Sequence, residues 1–169
     1  SLMFRYEPHA PQIEAIVKML KTSVQIAADN GVILALENHI DYTSAEIQEI
    51  LERVGSDALK VNFDTGNTLR MMEDPVAAAR RLSPYTVATH TKDLDACRHV
   101  RPEEWYFFSS VPVGTGLIDM RGVVLALQES GYQGVLAVES DHHKDNQDED
   151  QLVAASIAYL KQLVAELEG

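Results

Sequence analysis

The chain has 169 residues, 46% of them hydrophobic and 24% charged, enough for one globular domain with a core of its own. Its formal net charge of −12 argues against a nucleic-acid partner, because an acidic surface repels a phosphate backbone. The single Cys97 excludes an internal disulfide and fits a reducing cytoplasm, and no apolar run approaches the roughly 20 residues that span a bilayer. The opening SLMFRYEPHAP lacks the apolar segment of a signal peptide, so a cytoplasmic location and no membrane partner are expected.

Apolar residues recur at helical spacing over 11–30 as Ile13, Ile16, Val17, Leu20, Val24 and Ile26, and Asn30-Gly31 is a helix stop. A strand is predicted over 32–37. Asp41 to Ser44 offers caps for a helix carrying Ile47, Ile50, Leu51 and Val54, which Gly55 ends. A strand over 58–63 leads into Asp64-Thr65-Gly66-Asn67. A broken helical stretch over 67–83 is interrupted at Asp74-Pro75, where proline suits a new helix start. A strand over 85–90 follows. The stretch 94–116 reads as a long irregular loop over the active-site face, punctuated by Pro102, Pro112, Gly114 and Gly116 and carrying the aromatic run Trp105 to Phe108. Asp119 caps a helix to about residue 130, a strand is predicted over 134–139, and a polar stretch from Asp141 to Asp150 precedes a last helix.

The order is a helix and then strand–helix four times. Short apolar strands alternating with amphipathic helices imply a parallel sheet with right-handed crossovers. The expected fold is α/β, with about four parallel strands and five helices in one domain over 1–169.

Four of the strands end on a polar side chain of metal-ligand type: VILALE on Glu37, KVNFD on Asp64, TVATH on His90 and VLAVE on Glu139. Asp64 follows Glu37 by 27 residues and His90 follows Asp64 by 26, a repeating unit. Singly, each residue fits a loop-facing side chain, and Asp64 fits a helix cap. Together they fit an α/β barrel, whose active site is built from strand C-termini. Carboxylates crowded together repel one another, and a divalent cation removes the conflict. Three carboxylates and one imidazole suit Mn²⁺ first, with Mg²⁺, Co²⁺ and Zn²⁺ as alternatives.

LALENH, NFDTGN, THTKD and VGTGLIDMRGVVLALQESGYQGVLAVES together resemble the second half of the xylose isomerase-like TIM barrels. This superfamily of sugar isomerases and epimerases also contains inosose dehydratases and endonuclease IV. The resemblance covers nearly the whole chain and implies four (β/α) units, half of a (β/α)₈ barrel. It implies a metal bound by Glu37, Asp64, His90 and Glu139, with Glu37 and Glu139 as the acid/base pair. The implied chemistry is metal-dependent proton transfer next to a carbonyl of a small sugar or sugar phosphate, through an enediolate. Isomerisation, epimerisation and dehydration are all left open.

Around this set, Asn67, Lys92, Asp93 and His39 are candidate substrate-binding residues; a surface ion pair is the plainer account of Lys92 and Asp93, and a loop position that of His39. The GxGxxD pattern of Gly114, Gly116 and Asp119 reads as a turn and helix cap, and His142 and His143 as part of a solvated acidic loop. The resemblance has two departures. Asn67 stands where the epimerases place a histidine, and Ala96 stands where they place an arginine, which Arg98 or Arg101 would have to replace. Half a barrel leaves an apolar sheet face and two strand edges open. A homodimer or a separate N-terminal half is therefore expected to cover them. The rival readings are a non-catalytic truncated remnant that forms an oligomer and an endonuclease IV-like metal nuclease, which the charge and Asn67 disfavour.

Overall fold

A computed structural model describes residues 7–97, 107–141 and 148–168. The chain runs α1 (His9–Asp29), β1 (Leu34–Glu37), α2 (Ser44–Val54), β2 (Leu59–Asp64), α3 (Thr65–Arg70), α4 (Pro75–Leu82), a 3₁₀ turn (Ser83–Tyr85), β3 (Thr86–Thr91), β4 (Asp93–Ala96), β5 (Phe108–Val111), α5 (Met120–Glu129), β6 (Ala137–Val138) and α6 (Glu149–Glu168). Strands β1, β2, β3 and β6 form one parallel sheet in that order, so each pairing spans a helical crossover. Among the described residues no helix is long and apolar enough to cross a membrane.

Alternation along β2 sorts the two faces. Leu59, Val61 and Phe63 are buried in the core with Ile47, Ile50 and Leu51 of α2, Leu82 of α4, and Val123 and Leu127 of α5. Lys60 and Asn62 point the other way and are half-buried. Register carries that second face across the sheet: Glu37 lies beside Asn62, Asp64 beside His90 and His90 beside Ala137. Its remaining members are Ala35, Lys60 and Ala88, all half-buried or exposed. The large aliphatic side chains of β2 sit at its odd positions, under the helices. Apolar side chains nevertheless remain exposed in or beside the other strands, Ile33 at 54%, Val87 at 40% and Val135 at 75%, among the alanines and polar groups of the open side.

The predicted helical stretch over 67–83 divides in two, which gives six α-helices among the described residues instead of five. Asp64 caps α3, accepting from the N–H groups of Gly66 and Asn67. Met72 then takes a positive φ of 59°, and Asp74, with Pro75 in the first turn, starts α4. The stretch 94–116 is more regular than expected. β4 and β5 make an antiparallel ladder with Asp93 opposite Val111 and Ala96 opposite Phe108. The last strand of the parallel sheet is shorter than predicted, with Ala137 and Val138 pairing to β3 and Glu139 just beyond, its N–H donating to the Thr91 carbonyl at 3.1 Å.

Candidate metal centre

The register brings the strand-end residues together at one mouth. Glu37, Asp64 and His90 form a group of ligand-type side chains whose ligating atoms lie within 4.8 Å of one another. His90 Nδ1 faces the carboxylates, 3.5 Å from Glu37 Oε1, 4.0 Å from Asp64 Oδ2 and 3.4 Å from Glu139 Oε2. Asp64 divides its work: Oδ1 accepts from the α3 amides at 2.9 and 3.0 Å, and Oδ2 points into the mouth.

Lys92 occupies the floor of this mouth with its side chain 4% exposed. Its Nζ lies 3.0 Å from Asp64 Oδ2, 2.9 Å from Glu139 Oε2 and 3.5 Å from Asp141 Oδ2. Asp141 also pairs with Arg70 at 2.7 Å and accepts from the Ser110 hydroxyl at 2.9 Å. The DTG motif is built around this lysine. The Thr65 hydroxyl donates to the Lys92 carbonyl at 2.6 Å and accepts its N–H at 3.0 Å. A side chain on Gly66 would meet Lys92 Cγ at 2.5 Å, so only glycine lets the lysine stem pass over the first turn of α3.

The charges settle unevenly. Burial pushes the Asp64 carboxyl up to about 6, against the opposing pull of Lys92 and the Asn67 amide. Burial also raises Glu139, but Lys92 and His90 more than offset this and hold it below the ordinary carboxylate range. Burial pulls Lys92 down, and Asp64, Glu139 and Asp141 together keep it above its usual value.

Buried polar atoms without a hydrogen bond gather here. Asn62 Oδ1, Asp64 Oδ2, Asn67 Oδ1, His90 Nδ1 and Glu139 Oε2 are all of this kind, although the two carboxylate oxygens keep their ion-pair contacts with Lys92. Native interiors rarely leave such atoms without a role, and a concentration of them marks a place where a ligand belongs. A divalent cation fits this oxygen-rich set with one imidazole. Glu37, Asp64 and His90 would hold it, and Glu139 could join if it released Lys92.

The other candidates divide. Asn67 is 1% exposed, and its amide donates to Glu37 Oε1 at 3.4 Å, which ties it to the mouth. His39 lies outside the cluster, 52% exposed and 3.5 Å from Asp41. Asp93 is buried, and both its oxygens accept backbone N–H groups, from Leu94 and Ile118 on Oδ1 and from Gly114 and Gly116 on Oδ2. It fastens the 114–118 turn to β4. Gly116 has no room for a side chain beside that carboxylate, which accounts for half of the GxGxxD pattern; Asp119 accounts for the rest by capping α5 through Gly122. Arg98, Arg101, Trp105, Tyr106, His142 and His143 lie outside the described residues. Sequence reasoning missed Asn62, whose amide lies 3.1 Å from His90 Nε2, and Asp141, the third acid on Lys92.

The model of a family described as xylose isomerase-like TIM barrel matches residues 4–163. An inosose dehydratase of Clostridium beijerinckii is 25% identical over 128 residues, covering 69% of this chain and 43% of its own length. A solved L-ribulose 3-epimerase is similar in fold with a TM-score of 0.73 at 20% identity, over 94% of this chain and 56% of that one. A Mycobacterium smegmatis protein of the same barrel type, solved in complex with magnesium, gives a TM-score of 0.71 at 21% identity, over 93% of this chain and 52% of that one. The chain thus spans about half the length of the relatives it matches.

Proposed function

The chain belongs to the xylose isomerase-like TIM barrel family, and from that premise we propose that it carries the site of a metal-dependent sugar or sugar-phosphate isomerase or epimerase. The observation that carries this reading is the approach of Glu37, Asp64 and Glu139 to His90 Nδ1, a buried atom without a hydrogen bond, at 3.4 to 4.0 Å. A bound divalent ion, Mn²⁺ in the first instance, would supply positive charge where negative charge builds on the substrate oxygens as a proton leaves the neighbouring carbon.

The chain's own residues would do the rest. Glu37 Oε1 and Glu139 Oε2 lie 3.5 and 3.4 Å from His90 Nδ1. One takes the proton next to the carbonyl, and the other returns a proton to the opposite face or to the neighbouring carbon. Asn67, hydrogen-bonded to Glu37, would contact a sugar hydroxyl. The same first proton transfer would serve a dehydratase, a second reading favoured by the inosose dehydratase relative. A second copy of the chain, or a separate four-stranded half, would complete the mouth.

Isothermal titration with Mn²⁺, Mg²⁺, Co²⁺ and Zn²⁺ tests the site. One ion per chain is expected, and Asp64→Asn or Glu37→Gln should abolish its binding. A wild-type protein that binds none of these ions would sink the proposal. With the ion bound, exchange of solvent deuterium into a panel of ketoses, ketose phosphates and inososes reports the proton transfer. Binding without exchange would favour a non-catalytic protein.

A further inference from the structure

We propose that Asn62 is a positioning residue for the metal centre: with its side-chain oxygen turned to His90 Nε2, it holds the proton on that nitrogen and leaves Nδ1 as the metal ligand. The inference rests on the metal reading above. Asn62 lies on β2, two residues before Asp64 and on the same face of the sheet. Its Nδ2 meets one hydrogen-bonding partner among the described residues, His90 Nε2 at 3.1 Å, and its Oδ1 is buried without one. The side chain is thus committed to the imidazole ring.

The other nitrogen of that ring, Nδ1, has no hydrogen bond and lies 3.4 to 4.0 Å from three carboxylate oxygens. A metal takes a lone pair, and a neutral imidazole has one lone pair and one N–H. Ligation through Nδ1 therefore requires the proton on Nε2 and an acceptor facing it. The carboxylates pull the other way, since each would accept a hydrogen bond from Nδ1–H. As the side chain lies, its NH₂ group faces Nε2, which suits a ring protonated on Nδ1, and a half-turn of the amide brings the carbonyl oxygen there at nearly the same shape. With the oxygen turned to the ring, Nε2–H is bonded and Nδ1 presents its lone pair to Glu37 and Asp64. Unlike a carboxylate, the amide does this without adding a fourth negative charge that would hold both ring protons in place.

Two measurements test this with no recourse to activity. In Asn62→Leu, which removes the acceptor and keeps the volume, the affinity for Zn²⁺ by titration should fall by about 10- to 100-fold. In Asn62→Asp, which keeps an acceptor, affinity at mildly alkaline pH should stay within about threefold of wild type, a small fraction of the loss expected when an outer ligand is deleted. A long-range proton–nitrogen correlation spectrum of the Zn²⁺-loaded wild type should show His90 protonated on Nε2 and metal-shifted on Nδ1. Unchanged affinity in Asn62→Leu, an equal loss in both variants, or a spectrum with Nε2 metallated would overturn the inference while leaving the metal site standing. A wild type that binds no ion would overturn both. If Asn62→Leu does not fold, the wild-type spectrum decides.

Discussion

Gly66 shows how tightly single positions are drawn around the mouth. It sits in the first turn of α3, where intrinsic propensity alone would make alanine stabilising by up to about 1 kcal/mol. The structure predicts the opposite sign. A methyl group there would meet Lys92 Cγ at 2.5 Å and Cδ at 2.7 Å, and the buried lysine stem, pinned by Thr65 at both its backbone groups, has little room to yield. Overpacking of this kind costs about 1–3 kcal/mol, so Gly66→Ala should lower stability in urea denaturation and weaken divalent-ion binding at the same time. A variant as stable as wild type with unchanged ion affinity would show that the lysine is not held as described. The strand-end residues were legible because four apolar runs each finished on a ligand-type side chain. Asn62 was not, since a lone polar residue inside a strand looks like ordinary alternation and its partner lies 28 residues away. The burial of Lys92 was equally hidden, because lysine is exposed almost everywhere and only the fold shows three acids beneath it.

Helix α2 carries a complete capping box. The Thr43 side chain accepts the Glu46 N–H, and Glu46 Oε2 accepts the Thr43 N–H at 2.8 Å, while His9 of α1 meets Glu46 Oε1 at 2.7 Å. Burial pushes the Glu46 carboxyl up, but the Thr43 amide, His9 and the Thr43 hydroxyl pull it below its ordinary value. A carboxyl lowered on folding contributes stability that is present above its unfolded value and is lost as pH falls through the folded one. Thermal melts from neutral pH into the acid range should therefore fall less steeply in Glu46→Gln than in wild type. Parallel curves would remove Glu46 from the account. At this scale the helices were the most readable elements, through periodicity, caps and the Asp74-Pro75 restart. The β4–β5 ladder was not, since DLDA and FSSV are too short to show alternation and find each other only across a long connection. The strand predicted over 134–139 pairs only at Ala137 and Val138, with β3 its one neighbour in the sheet among the described residues.

The whole sheet has β1 at one edge and β6 at the other, both without a further strand among the described residues. All four strands run the same way, so β6 of one copy could pair with β1 of a second and β6 of the second with β1 of the first. The result would be an eight-stranded parallel closure with two mouths' worth of ligands at one end. Val32 and Ile33 before β1 and Val135 before β6 are at least half exposed and lie where such a closure would cover them. Light scattering coupled to size exclusion should show the 169-residue chain as a dimer, and Val135→Lys should shift it toward monomer. A monomer at every concentration tested would remove the self-pairing and leave a separate half as the partner. Lys92 has a consequence at this scale too. Its ammonium already contacts Asp64, Glu139 and Asp141, and Arg70 also pairs with Asp141, so part of the negative charge at the mouth is offset without an ion. If the proposed ion binds, a chelator should remove it without unravelling the chain, and thermal melts with and without chelator should then coincide.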